Sequence, residues 1–187
     1  MFEARMEDRL EIQDVIYRWC RGIDRMDIDL IREVYHPDGV AYHGPFPRTL
    51  DELIAWIEER QPSITHSLHQ AANIRIQFTG PDTALVETYM VSRQRFADSA
   101  KETRIAMLGE EEASKPGILH VEGGGRYVDR FERRNGRWAV LKRTVIVEGL
   151  VPIRLIEYYK PDPTWPPLAR RDRDDPSYVE QRAVGLA

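Results

Sequence analysis

The sequence predicts an α+β fold in which helices come first and a curved antiparallel sheet of long strands follows. Apolar residues recur with the 3.6-residue period of a helix over roughly the first sixty positions. From about residue 74 the period drops to two, the alternation of a half-buried strand. The two patterns are segregated along the chain rather than interleaved, which argues for α+β over a parallel α/β sheet.

In the first helix, Ile12, Val15, Ile16, Trp19, Cys20 and Ile23 form the apolar stripe, with Gly22 near its end. Asp27 offers an N-cap to a short second helix, Ile28 to Tyr35, and His36-Pro37 stops it because the residue before proline is pushed out of the α region. A short extended piece at 39–43 is broken by Pro45 and Pro47. Thr49, with Glu52 three residues on, reads as the capping box of a third helix that buries Leu53, Ile54, Trp56 and Ile57 and ends before Pro62. Ile74, Ile76 and Phe78 then alternate with polar residues up to a Gly80-Pro81-Asp82 turn. A long strand follows at 83–96. The polar segment 98–116, with its Glu110–Glu112 run, is a loop or short helix. Strands at 118–134 and 137–148 flank Asn135-Gly136, the strongest short hairpin signal. Residues 1–150 read as one domain and 151–187 as a proline-rich extension lying on it or on a neighbouring subunit. The last 27 residues hold five of the twelve prolines.

Composition narrows the function classes. The chain has 187 residues, 42% hydrophobic and 31% charged, enough for one domain with a buried core. A net charge of −4 argues against nucleic-acid binding, which needs a basic face. The single cysteine, Cys20, excludes an internal disulfide and a Cys-based zinc site and fits a reducing cytoplasm. No apolar run approaches the ~20 residues that span a bilayer, and the charged N-terminus lacks a signal-peptide core. The expectation is a cytoplasmic protein with no membrane partner.

The familiar chemical motifs are missing: Gly123-Gly124-Gly125 precedes a strand pattern rather than a helix, and there is no nucleophile elbow, H-E-x-x-H or Cys-x-x-Cys. His66 and His69, three apart, could pair on a helix as metal ligands, a weak signal without a nearby carboxylate. Tyr17, Arg21 and Asp24 share one helical stripe, which solvent exposure alone would explain. His69 lies where the chain turns into its sheet. A histidine held by a carboxylate is the commonest general base.

The run Leu10-Glu-Ile-Gln-Asp-Val-Ile-Tyr17-Arg-Trp-Cys-Arg-Gly-Ile-Asp24-Arg-Met-Asp27 resembles the opening of SnoaL-like proteins of the nuclear transport factor 2-like superfamily. His66-Ser-Leu-His69-Gln-Ala-Ala-Asn73 resembles the start of their sheet, and Gly125 to Trp138 with Arg143 resembles their last hairpin. The resemblance spans about 8–148 and implies a cone-shaped α+β barrel around one deep apolar pocket. Its lyases, among them scytalone dehydratase, bile-acid 7α-dehydratase and hexachlorocyclohexane dehydrochlorinase, use an Asp–His pair and no cofactor.

Carried over, His69 is the general base and Asp24 its partner, while Tyr17 and Arg143 stabilise developing negative charge on oxygen. Arg143 has an equal alternative, a structural ion pair with Asp129 or Glu148. Tyr42, Trp56, Phe96 and Met107 suit an aromatic pocket, though core packing explains each. His120 is either a second pocket imidazole or a structural histidine. The implied function is a cofactor-independent lyase acting on an aromatic or steroid-like small molecule, by dehydration or by retro-aldol-type loss of formaldehyde. A double-bond isomerase would use the same parts. A ligand-binding protein or dioxygenase accessory subunit is the non-enzymatic alternative. The strand at 138–148 is apolar on both faces, which leaves one for another subunit, and the resemblance favours a homotrimer.

Overall fold

A computed structural model describes residues 5–156 and 167–186. Helix α1 (Met6–Arg25) carries the apolar stripe, with Ile12, Val15, Ile16, Trp19, Cys20 and Ile23 all buried. Helix α2 (Ile28–Val34) starts on Asp27, whose carboxylate accepts from the Leu30 N–H. Strand β1 (Tyr35–Tyr42) and the short β2 (Pro47–Thr49) precede α3 (Leu50–Arg60), whose Thr49–Glu52 capping box is complete. A 3₁₀ turn, Gln61–Ser63, then leads directly into β3 (Ile64–Gly80).

Strand β3 therefore starts ten residues earlier than the alternation of Ile74, Ile76 and Phe78 suggests. Bulges at 64–66 and 71–74 break its period and hide it in the sequence. Strand β4 (Thr83–Phe96) is followed by α4 (Lys101–Leu108) and α5 (Glu110–Ala113), then β5 (Ile118–Arg134) and β6 (Arg137–Leu155). The Asn135-Gly136 turn has positive φ at both residues, 52° and 79°, as a two-residue hairpin requires.

The six strands form one sheet in the order β2-β1-β6-β5-β4-β3. The fold is α+β, but the sheet is mixed and open: β1 runs parallel to β6 while every other pair is antiparallel. Helices α1 and α3 fill its inner face. The core joins α1, α2 and α3 to Ile76, Val86, Tyr127, Phe131, Trp138 and Val140. A bulge between Val140 and Lys142 shifts the alternation of β6, so Trp138, Val140, Arg143 and Val145 all face inward.

The tail departs from a patternless extension. Helix α6 (Pro176–Ala183) starts on Asp175, whose side chain accepts from the Ser177 N–H, with Pro176 at its first position. Asp-Pro is a readable helix start that the surrounding prolines obscured. The described tail docks on α1 and α2: the Tyr178 hydroxyl donates to Asp27 at 2.6 Å, and Arg21 reaches Ser177 and Gln181. The proline-rich stretch at 157–166 lies outside the described residues.

Candidate active site

The last turn of α1 lies across the start of β3, and that crossing brings Asp24 and His69 together. Asp24 is 5% exposed. One carboxylate oxygen receives the Ser67 hydroxyl and the His69 Nδ1, each at 2.7 Å, and the other receives the His69 backbone N–H at 2.7 Å. Burial pushes the pKa of Asp24 up, but hydrogen bonds and charge from His69, with help from Ser67, outweigh it and hold the carboxyl below its usual value. An ionised carboxylate only accepts, so the proton between it and the imidazole sits on Nδ1. In the neutral tautomer that this bond selects, Nε2 carries the lone pair and is the nitrogen available to a ligand.

His69 opens onto a cavity of about 80 Å³ lined by Trp19, Ile23, His43, Trp56, Arg60, Gln61, Met90, Gln94, Tyr127 and Val145. His43 stands between Trp19 and Trp56, with ring centroids 5.7 and 5.6 Å away, and its Nε2 is sealed from solvent without a partner. Burial, then the charges of Arg143 and Arg48, push its pKa down to about 3, so it stays neutral. A larger hollow of about 740 Å³ lies between α4, α5 and the start of β5. Its buried cation, Arg104, is already bonded to the carbonyls of Ala113, Lys115 and Gly117. The Asp24–His69 pair borders the smaller cavity and not this one.

A second device stands behind the dyad. Arg171, from the tail, donates to the carbonyls of Asp24 (3.1 Å), Ile23 (2.8 Å), Ile64 (2.8 Å) and Gln61 (3.2 Å), and to the Gln61 side chain. All five guanidinium donors are used. It pins the end of α1, the 3₁₀ turn and the start of β3, the three segments that set the dyad's geometry.

Of the candidate site residues named from the sequence, His69 and Trp56 line this cavity, Asp24 stands behind His69, and the others do neither. Tyr17 is 52% exposed. It shares the stripe of Asp24 but lies two helical turns away, about 10.5 Å along the axis, and Trp19 lines the cavity instead. Arg143 is fully buried in a bidentate pair with Asp129, at 2.9 and 2.6 Å, and is the structural ion pair of the two alternatives. It stacks on Trp19 (4.7 Å) and Tyr127 (4.3 Å) behind the cavity wall. Glu148 goes to Arg126.

Tyr42 points to the outer face under Lys142, because successive residues of a strand alternate. The next residue, His43, is the one that reaches the cavity. Phe96 packs with Ile64, Ala100, Leu119 and Val121, with Met107 against them, in a separate small core. His120 lies on the outer face of β5 beside Glu122, 3.5 Å away. His66 and His69, read as a helical pair, sit on a strand, where a spacing of three puts them on opposite faces.

Sequence reasoning missed Ser67, His43, Arg60, Gln61 and Arg171. Ser67 precedes His69 by two, a signal readable once β3 is known to include both. Nothing local marks Arg171.

The comparisons with known proteins agree with this architecture. The SnoaL-like domain family matches residues 4–144. A hexachlorocyclohexane dehydrochlorinase from Novosphingobium barchaimii superposes with a TM-score of 0.68 at 16% identity, over 84% of this chain and 97% of its own. A scytalone-dehydratase-like protein from Novosphingobium aromaticivorans superposes at 0.64 and 16% identity, over 83% and 93%. No curated protein matches the sequence. At these identities the structural neighbours speak for the fold. With three quarters of the chain matched by the domain family, the protein belongs to the SnoaL-like family.

Proposed function

We propose that the protein is a cofactor-independent lyase acting on an aromatic small molecule, with His69 as general base and Asp24 as its orienting partner. The observation that carries this reading is the dyad: an ionised, buried carboxylate bonded to Nδ1, with Nε2 left toward a cavity walled by Trp19, Trp56, Met90 and Tyr127. His69 would take a proton from carbon while the neighbouring hydroxyl leaves and a C=C bond forms. Or it would take the proton of a hydroxymethyl group while its C–C bond breaks, formaldehyde leaves, and the electron pair of that bond forms a C=C bond as the neighbouring hydroxyl leaves. With Tyr17 and Arg143 away from the cavity, the groups that would face a developing oxyanion are His43, Arg60 and Gln94.

The cavity of about 80 Å³ is smaller than the ~150 Å³ that holds a benzene ring. An aromatic substrate would therefore enter by displacing lining side chains, among which Trp56, Met90 and Arg60 are only partly buried. We also place the protein in the cytoplasm: the thiol of Cys20, pushed up to about 11 by burial, stays protonated and fits a reducing compartment.

Mass-spectrometric turnover of aryl alcohols, arylpropane diols and hydroxysteroids, without added cofactor, tests the reading. Loss of water or formaldehyde with the wild type, and at least about 10²-fold less with His69→Ala, is the expected result. A double-bond shift at unchanged mass would indicate an isomerase. Ligand retention by both proteins with no turnover would indicate a binding module.

We further propose a homotrimer. Val91 (41% exposed), Val151 (58%) and Ile153 (37%) lie together on the outer face of the sheet. Sedimentation at micromolar concentration is expected to give three times the chain mass, and a monomer would remove this assignment.

A further inference from the structure

Arg60 is a half-buried cation with no acidic partner among the described residues. It ends α3, and its side chain lines the dyad cavity. Among the described residues its guanidinium contacts the Trp56 ring, 5.4 Å to the centroid, and donates no hydrogen bond and forms no ion pair. Comparable arginines have partners: Arg126 holds Glu87 and Glu148, Arg143 holds Asp129, and Arg104 and Arg171 donate to several carbonyls.

Its chain neighbours Glu58 and Glu59 are exposed and form no ion pair with it among the described residues, and acids of neighbouring segments are engaged elsewhere. Asp51 pairs with Arg32, Glu52 closes the cap on Thr49, and Asp24 is taken by Ser67 and His69. Arg48 also lies over Trp56, at 4.9 Å, spends a donor on the His43 carbonyl and forms no ion pair among the described residues. Burial pushes the pKa of Arg60 down, and no acid counters it. A partly desolvated cation with no partner costs free energy that a ligand can return.

We propose that the cavity takes an anionic aromatic molecule, whose carboxylate pairs with the Arg60 guanidinium against the Trp56 wall. The planar fork of arginine matches a carboxylate, and the pair gains strength where water is excluded. This deepens the lyase reading by naming its substrate class, and it rests on that reading only for the chemistry, since binding can be measured by itself.

Trp19 and Trp56 line the cavity, so tryptophan fluorescence reports occupancy. Benzoate, 3-phenylpropanoate and 2-naphthoate are titrated, each against its primary amide, which keeps shape and removes charge. At least one acid is expected to bind about tenfold or more tightly than its amide. Arg60→Gln is expected to erase that preference by weakening the acid and sparing the amide, Arg60→Lys to keep part of it, and His69→Ala to keep it whole. Equal binding of acid and amide, a full preference in Arg60→Gln of unchanged melting temperature, or no saturable binding by any acid would overturn the proposal. An intact acid preference in a protein that turns nothing over would remove the lyase reading and leave the anion site standing.

Discussion

Asp24→Asn is expected to lower turnover at least about 10²-fold while the fold survives. All three groups that meet the Asp24 carboxylate are donors: the Ser67 hydroxyl, the His69 backbone N–H and, in the active tautomer, Nδ1–H. Asparagine has one acceptor oxygen and one NH₂ group. If the oxygen stays toward Nδ1, the NH₂ group faces the His69 N–H, donor against donor. If the amide flips, it donates to Nδ1 and drives the imidazole proton onto Nε2, the nitrogen that must receive the substrate's proton. Either way the base is lost or misplaced without removing an atom.

The same substitution has a pH signature. The pKa of Asp24 is lower in the folded protein than in the unfolded chain, so its contribution to stability is present above the unfolded value, ~3.9. That contribution is lost as pH falls through the folded value. Urea midpoints of wild type and Asp24→Asn are therefore expected to differ at pH 7 and to converge as the pH falls through the folded-state value. A constant gap would mean that the carboxylate is not held ionised by its partners.

Asp129→Ala is expected to cost about 3–5 kcal/mol of stability, because it strands a fully buried guanidinium. Burial alone would push Asp129 toward its protonated form; the two short contacts to Arg143 oppose this, and the pair is read as ionic. Arg143 also stacks on Trp19 and Tyr127, both of which wall the cavity. Removing both charges together, as Asp129→Leu with Arg143→Met, is expected to recover much of the loss, since a buried pair is often no better than apolar residues of similar volume. Chemical denaturation of the wild type and the two variants checks this. A double variant as unstable as Asp129→Ala would show that the cost comes from packing rather than from the unpaired charge.

Much of the fold was legible locally. The stripe of α1, the Thr49–Glu52 box and the Asn135-Gly136 turn are each written within a few consecutive residues, because helix periodicity, caps and two-residue hairpins are short-range effects. The first ten residues of β3 were not, since two bulges break the alternation. Asp24 and His69 were named from a resemblance rather than from spacing. What the sequence by itself determined is the α+β class, the order of most elements and the residue types able to act as acid and base.

Only the tertiary structure decided which of those residues meet. Alternation at the end of β1 hides Tyr42 from the cavity and presents His43. Two helical turns separate Tyr17 from a site that shares its stripe. A bulge in β6 turns Arg143 inward onto Asp129, and a tail 147 residues away in sequence sends Arg171 to the carbonyl of Asp24. Helix phase and strand alternation say which way a side chain points, but contact is a matter of register and crossing between distant segments, and those are set by how the whole chain packs.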